Sequence, residues 1–243
     1  MVIHDALRRA IEAEQPIAVA TVIAGAAPIG AKLLIDAAGT ASGTLDAGAV
    51  TAQIITDALA LLQRGVNEVR RYADGLEVFI ETYPPPATLL VVGAVHIAIP
   101  LVTIARTLQF RTVVIDARGA FATPERFAHA DELVHAWPDE ALAGRLTSNS
   151  HVVVLTHDPK LDDPALLVAL PSAARYVGAL GSPRTHARRL ERLRAAGVGE
   201  AQLARLHAPI GLRIGGQSPA EIAVSIIAEI VAVRNGRSGA VPS

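Results

Sequence analysis

Residues 89–98 read LLVVGAVHIA. Four apolar residues without alternation, then Gly93, then a second apolar stretch predict a strand, a turn and a helix. The same rhythm recurs downstream: TVVID (112–116), HVVVLT (151–156) and YVGAL (176–180) are continuous apolar runs, as expected of strands covered on both faces. Helical stretches fall between them at roughly 97–109, 139–146 and 162–170, and another follows near 185–196. Strands alternating with helices imply right-handed βαβ units and an open parallel sheet.

Upstream of this block stands Pro84-Pro85-Pro86, a stiff spacer without backbone donors, which marks a boundary. It separates residues 1–83, a small N-terminal domain, and the linker 84–87 from residues 88–243. The first part opens on an amphipathic helical stretch, MVIHDALRRAIEAEQ. Strands follow at IAVATVI (17–23), AKLLID (31–36), near 40–44 and at EVFIETY (77–83), with a helix over 46–63 that Gly65 stops. At the far end, Ser218-Pro219-Ala220-Glu221 reads as a capping box opening a helix to about Arg234, where Asn235-Gly236 ends it. Its isoleucines and valines (Ile222, Ile226, Ile227, Ile230, Val231, Val233) predict a largely buried helix. The expected class is α/β: a Rossmann-like open parallel sheet in the C-terminal domain, with a smaller α+β N-terminal domain.

Composition narrows the chemistry. The 243 residues are 51% hydrophobic and 19% charged, with a formal net charge of -1. High apolar content with near-zero net charge excludes disorder, and a chain of this size buries about 70–75% of its unfolded surface, enough for a full core. Near-zero charge offers no field for a polyanion, so no nucleic-acid partner is expected. Cys is 0, which removes disulfides, thiolate ligands and a cysteine nucleophile. The N-terminus lacks the apolar core of a signal peptide. The apolar run 89–105 is short for a membrane span and carries Gly93, His96 and Pro100. The expectation is a cytoplasmic protein with no membrane partner.

Three segments could carry chemistry. After Gly93, the dinucleotide pattern G-x-G-x-x-G continues with Val95 and Ala98, so the second glycine, which admits a pyrophosphate, is absent. Asp116 ends the next strand 23 residues on, where a ribose-binding acid lies in such folds, and Arg118 follows. Thr156-His157-Asp158 follows a strand at the carboxyl edge, where open α/β sheets place ligands; Asp162 or Asp163 would begin the next helix. Gly181-Ser182-Pro183-Arg184 leads into a helix whose free N–H groups and Arg184 favour an anion. Its other reading is an ordinary capped helix, with Arg184, Arg188 and Arg192 on a solvated face and Leu190 and Leu193 inward. The histidine and acid spacings match no metal pattern, and no G-x-S-x-G, H-E-x-x-H or P-loop occurs.

In order and spacing, VVGAVHIA (91–98), VVIDARGAFATPERF (113–127), VVVLTHDPKLDDPAL (152–166), YVGALGSPRTHARRLERLRAAG (176–197) and HAPIGLRIGGQSPAEIAVSIIAEIVAVRNG (207–236) resemble the XdhC/CoxI family, accessory proteins of xanthine dehydrogenase and related molybdenum hydroxylases. The resemblance implies a molybdenum cofactor-binding (molybdopterin-binding) chaperone, commonly a homodimer. Such a protein assists sulfuration with a cysteine desulfurase-type sulfurtransferase and inserts the cofactor into the hydroxylase apoenzyme. Together with the sheet topology it assigns cofactor binding to Gly93, His96, Asp116, Arg118, Thr156, His157, Asp158, Gly181, Ser182 and Arg184. Gly211 and Gly215 would bring backbone to the same cleft, and Lys32 would reach it from the first domain. The chain departs from the family where a glycine-glycine-cysteine-valine-glutamate run reads Ala47-Gly48-Ala49-Val50-Thr51, where Ala26-Ala27-Pro28-Ile29 replaces a serine-serine-proline-arginine turn, and at Val95. The alternatives are an NAD(P)-dependent oxidoreductase, resting on the strand–helix rhythm and Asp116, and an interaction subunit that binds no small molecule.

Overall fold

The computed structural model describes residues 2–236. The chain divides into two compact units, Met1–Pro85 and Pro86–Ser243.

The first unit runs α1 (Val2–Glu12), β1 (Ile17–Ala24), β2 (Lys32–Asp36), β3 (Ala41–Thr44), α2 (Val50–Arg64), β4 (Glu68–Arg71) and β5 (Glu77–Tyr83). The strands form an antiparallel sheet in the order β3-β2-β1-β5-β4. Alternate residues divide its faces: Ala18, Ala20, Leu33, Ile35, Val78 and Ile80 pack under Ile54, Ala58 and Leu61 of α2. Ile17, Val19 and Leu34 meet Ala10 of α1 on the other side. Gly65 ends α2 in the left-handed conformation, its amide bonded to the carbonyls of Leu61 and Leu62. The charged run Glu68–Arg71 forms an edge strand that hydropathy does not reveal, because ladder hydrogen bonds to β5 and solvent-facing side chains suffice there.

The second unit comprises β6 (Thr88–Val92), α3 (Ala98–Thr107), β7 (Arg111–Ile115), α4 (Pro124–Phe127), β8 (Glu132–Val134), α5 (Pro138–Leu142), β9 (Ser150–Val154), α6 (Pro159–Ala169), β10 (Tyr176–Ala179), α7 (Pro183–Ala195), α8 (Glu200–Leu203), β11 (Leu206–His207) and α9 (Pro219–Arg234). All its strand pairs are parallel, in the order β11-β10-β9-β6-β7-β8. The unit is therefore α/β with a Rossmann-like open parallel sheet, and the winding reverses between β6 and β9. Strand residues alternate between two cores. Leu89, Val91 and Val153 face Leu101 and Val102 of α3 and Ile226 and Ile230 of α9. Leu90, Val92, Val152 and Val154 face Leu142 of α5, Leu166 of α6 and Leu193 of α7.

Two short strands, β8 and β11, widen the sheet beyond the four apolar runs; at its edges, three or two residues suffice. Two helices differ from their expected spans. The helix over 139–146 is confined to Pro138–Leu142, and Gly144 lies just beyond with φ +72°. The helix expected from 162 starts at Pro159, because Asp158 rather than Asp162 or Asp163 supplies the cap. Helix α9 opens with the expected capping box: the Ser218 hydroxyl accepts from the Glu221 amide, and the Glu221 carboxylate accepts from the Ser218 amide.

His151 lies near the start of β9, 1% exposed. Its Nδ1 is 3.1 Å from the Asn149 carbonyl oxygen and its ring meets the Phe110 ring edge-on at 5.2 Å. Burial first, and then the charge of Arg175, lower its pKa from 6.5 to about 4, so the folded protein holds it neutral. Stability is therefore full above pH 6.5 and falls as pH drops toward about 4, by roughly 3 kcal/mol from this group alone. Chemical denaturation between pH 7 and pH 4 should show that loss in the wild type and a flatter profile in His151→Gln; parallel profiles would refute it.

Candidate functional site

The segments expected to carry chemistry all leave the carboxyl ends of the second sheet. β6 ends at Val92, and Gly93 turns away with φ +107°. A Cβ there would lie 2.5 Å from Thr156 Cγ2, so only glycine lets this turn pass the end of β9. The next amide, of Ala94, donates to Asp116 Oδ2 at 2.9 Å. Asp116 is 1% exposed and also accepts from the Arg118 amide. Its two oxygens take Nε and Nη2 of the Arg118 guanidinium at 2.9 and 2.8 Å. Burial pushes the Asp116 pKa up, but these hydrogen bonds outweigh it and hold the carboxylate ionised.

This arrangement corrects the reading of Asp116 as a free ribose acceptor, since its oxygens are already committed to Arg118 and to two backbone amides. Val95, expected where a pyrophosphate would press, instead packs against the core beneath α3 and α9. His96 is exposed beside it.

After β9, Thr156 Oγ1 donates to Asp162 Oδ1 at 2.5 Å and accepts from the Asp158 amide at 3.1 Å. His157 is exposed and left-handed, with φ 64°. Asp158 caps α6 by accepting from the Lys160 amide at 3.0 Å. Asp162, buried on the same face of α6 as Ala165, Leu166 and Ala169, pairs with Arg189 Nη2 at 3.0 Å. That guanidinium also donates to the Leu180 carbonyl at 2.9 Å. Arg189 is 1% exposed, and its Nε and Nη1 are buried without a partner among the described residues. Nη1 lies 3.6 Å from where a Cβ on Gly181 would stand.

Gly181 opens the turn into α7. Ser182 caps that helix, accepting from the Thr185 amide at 3.1 Å, with Pro183 in its first turn, as expected. The amides of Gly181, Ser182 and Arg184 have no partner among the described residues. The expected basic face is divided: Arg192 is tied to Asp163 at 2.5 and 2.9 Å, while Arg184 and Arg188 are exposed. Arg189 carries no motif, and Asp162 is legible in the sequence only as a candidate to begin a helix, not as a buried partner. Their helical spacing to buried neighbours, +3, +4 and +7 for Asp162 and +4 to Leu193 for Arg189, is the signal that would have found them.

Gly93, Asp116, Arg118, Thr156, Asp158, Asp162 and Arg189 thus form one connected cluster, with the 181–184 turn beside it. The charges of Asp158 and Asp162 also reach Arg118. Gly211 and Gly215 line a separate cavity against α9, whose lining includes nothing from β6, β7 or β9. A Cβ on Gly211 would sit 2.4 Å from Ser225 Oγ, so that glycine serves close passage over α9. Lys32 belongs to the first unit's sheet, where its Nζ donates to Thr21 Oγ1 at 2.9 Å. Among the described residues, no group of three His, Cys, Asp or Glu is arranged around a metal position, and no helix is long and apolar enough to cross a membrane.

Removing one partner of the buried pair strands the other charge, so Arg189→Met should cost about 3–5 kcal/mol in urea unfolding. Asp162→Leu combined with Arg189→Met should recover part of that loss. A single-variant cost below about 1 kcal/mol would show that the pair does not hold this edge together.

Comparison with known proteins places this geometry in a lineage. Residues 89–230 match the XdhC Rossmann domain and residues 10–73 match the XdhC and CoxI family. A Bacillus subtilis (strain 168) protein, named as a probable subunit of xanthine dehydrogenase, is 33% identical over 176 residues, 71% of this chain and 51% of its own. The molybdenum cofactor insertion chaperone PaoD of Escherichia coli (strain K12) is 23% identical over 253 residues, 86% of this chain and 79% of its own. The chain spans about half the length of the more similar curated relatives, 41% of one and 51% of the other. A crystal structure described as a xanthine dehydrogenase from Bacillus halodurans superimposes with a TM-score of 0.58 at 21% identity, covering 96% of both chains, which shows a shared fold. On these matches and this sheet, the chain belongs to the XdhC and CoxI family.

Proposed function

We propose that this protein is an accessory chaperone of a molybdenum hydroxylase. It binds molybdenum cofactor, assists its sulfuration and promotes insertion into a xanthine dehydrogenase-type apoenzyme. The observation that carries the reading is the surplus of donors at the 181–184 turn. Nη1 of buried Arg189, three free amides and the exposed Arg184 lie at that turn with no acceptor among the described residues. A helix N-terminus so equipped suits an anion, and the phosphate of a phosphorylated pterin supplies one. The nearby acids do not cancel this: Asp162 is neutralised by Arg189 and Asp158 is engaged at its cap.

The family's cysteine position is Ala49, which stands at the start of α2, and the chain has no thiol. Sulfur for the cofactor must therefore come from a partner, which fits a cysteine desulfurase-type sulfurtransferase, with the cofactor as cargo. The working state proposed is a cytoplasmic homodimer. Binding of NAD(P) has less support, because Asp116 is committed to Arg118 and Val95 occupies the second glycine position.

The test is retention of cofactor released anaerobically from a donor enzyme, read as its oxidised fluorescent pterin derivative. Wild-type protein should retain it against excess NAD or NADP. Arg184→Ala should retain about tenfold less, the equivalent of one charge-assisted hydrogen bond, while Arg188→Ala retains it fully. Asp158→Ala should also weaken retention, by loosening the α6 cap that positions Thr156. Absence of retention by the wild type, or unchanged affinity in both Arg184→Ala and Asp158→Ala, would refute the assignment.

A further inference from the structure

The cavity beside α9 is not part of the cluster around Arg189 and has its own polar centre. It measures about 960 Å³, near the upper end of small-molecule sites, and is lined by the 207–216 segment together with Leu180, Ile222, Ser225 and Glu229. Leu180, Ile210, Leu212, Ile214 and Ile222 give it an apolar wall, interrupted by the polar side chains of Arg213, Ser225, Glu229 and His207. The exceptions that matter are Glu229 and His207.

Glu229 is only 13% exposed. Its Oε2 accepts the Tyr176 hydroxyl at 2.5 Å and the Gly211 amide at 2.9 Å. His207 Nδ1 lies 3.4 Å from the other oxygen, Oε1. Burial pushes the Glu229 pKa up, yet hydrogen bonds from His207, Tyr176 and the Gly211 amide together bring it below the ordinary value. A carboxylate oxygen accepts, so in this contact Nδ1 is the donor, and the tautomer that matches it carries its ring proton on Nδ1. The lone pair then belongs to Nε2, which has no partner among the described residues. Tyr176 fixes the plane of the ring by stacking on it, centroids 4.6 Å apart at 27°. Such oriented imidazoles have a carboxylate on one nitrogen and the other free to bind.

We infer that this cavity seats a planar nitrogen heterocycle, whose ring N–H or amino group donates to His207 Nε2 while its faces lie against the apolar wall. The carboxylate oxygen Oε2 already takes two donors, so the histidine, not Glu229, meets the ligand. A pterin ring and a nucleobase share this chemistry. The inference rests on the proposed function insofar as the ring is a pterin.

The experiment titrates full-length protein, with ¹⁵N-labelled histidine, with unphosphorylated pterin, guanosine and cytidine. It follows the His207 ring nitrogens by NMR and ligand affinity by fluorescence or calorimetry. His207→Phe keeps a ring against Tyr176 but removes the Nδ1 donor to Glu229 together with the Nε2 acceptor, so the Nε2 resonance of the wild type is the readout that reports on the acceptor itself. Pterin should move the His207 Nε2 resonance and bind the variant about tenfold more weakly. If pterin binds both proteins equally and the resonance stays still, the cavity is not its seat, although the cofactor reading stands. If only a nucleoside moves the resonance, the seat holds for a base and the pterin reading fails at this cavity. If no ring moves it, the inference is overturned, and cofactor retention judges the proposed function independently.

Discussion

A guanidinium and a carboxylate, each almost entirely removed from water, organise the carboxyl edge of the second unit. Arg189 comes from α7 and Asp162 from α6. Through them the Thr156 hydroxyl, which follows β9, and the Leu180 carbonyl, which follows β10, are drawn to one point. Desolvating such a pair is costly, and an apolar pair of similar volume often serves stability as well. Its presence here is understandable because it brings the unpaired Nη1 of Arg189 close to Gly181, in the turn that begins α7.

A second clamp works on the neighbouring strands in the same manner. Asp116, beyond β7, is held ionised by Arg118 and two amides, and through the Ala94 amide it pins the turn that Gly93 begins. The two clamps stand on either side of the place where the strand order reverses, between β6 and β9. Helices on opposite faces diverge at such a reversal and leave room above the strand ends. In this protein the room is edged with fixed charges and donors rather than with a glycine-rich pyrophosphate loop. That difference is why the fold supports an anion-binding reading more readily than dinucleotide binding.

The α9 side shows another use of the same sheet. Asp162 and Arg189 lie on the side of α6 and α7, whereas Glu229, His207 and Tyr176 lie on the side of α9, and Leu180 borders both. Glycine has different work in the two places. Gly93 must clear Thr156, and Gly211 must clear Ser225 of α9. Neither position needs a ligand to explain its lack of a side chain.

Local sequence determined the parallel sheet, the caps at Ser182 and Ser218, and the succession of strands and helices. Unbroken apolar runs, capping residues and helical spacing act over a few neighbours and can be read without knowing what they touch. It also brought Gly93, Asp116, Thr156, Asp158 and Ser182 to one edge of the sheet, since all of them follow strand ends. Which of these groups are free was decided only by the tertiary structure. Asp116 stands where a ribose-binding acid is expected, yet Arg118 occupies it, and Arg189, which no motif marks, is paired with Asp162, 27 residues earlier in the chain. The edge strands β4, β8 and β11 were invisible for a related reason, since a strand at the margin is stabilised by hydrogen bonds to a neighbour distant in sequence. Pairing of charges and of strand edges depends on partners that folding brings together, and a linear pattern carries no record of them.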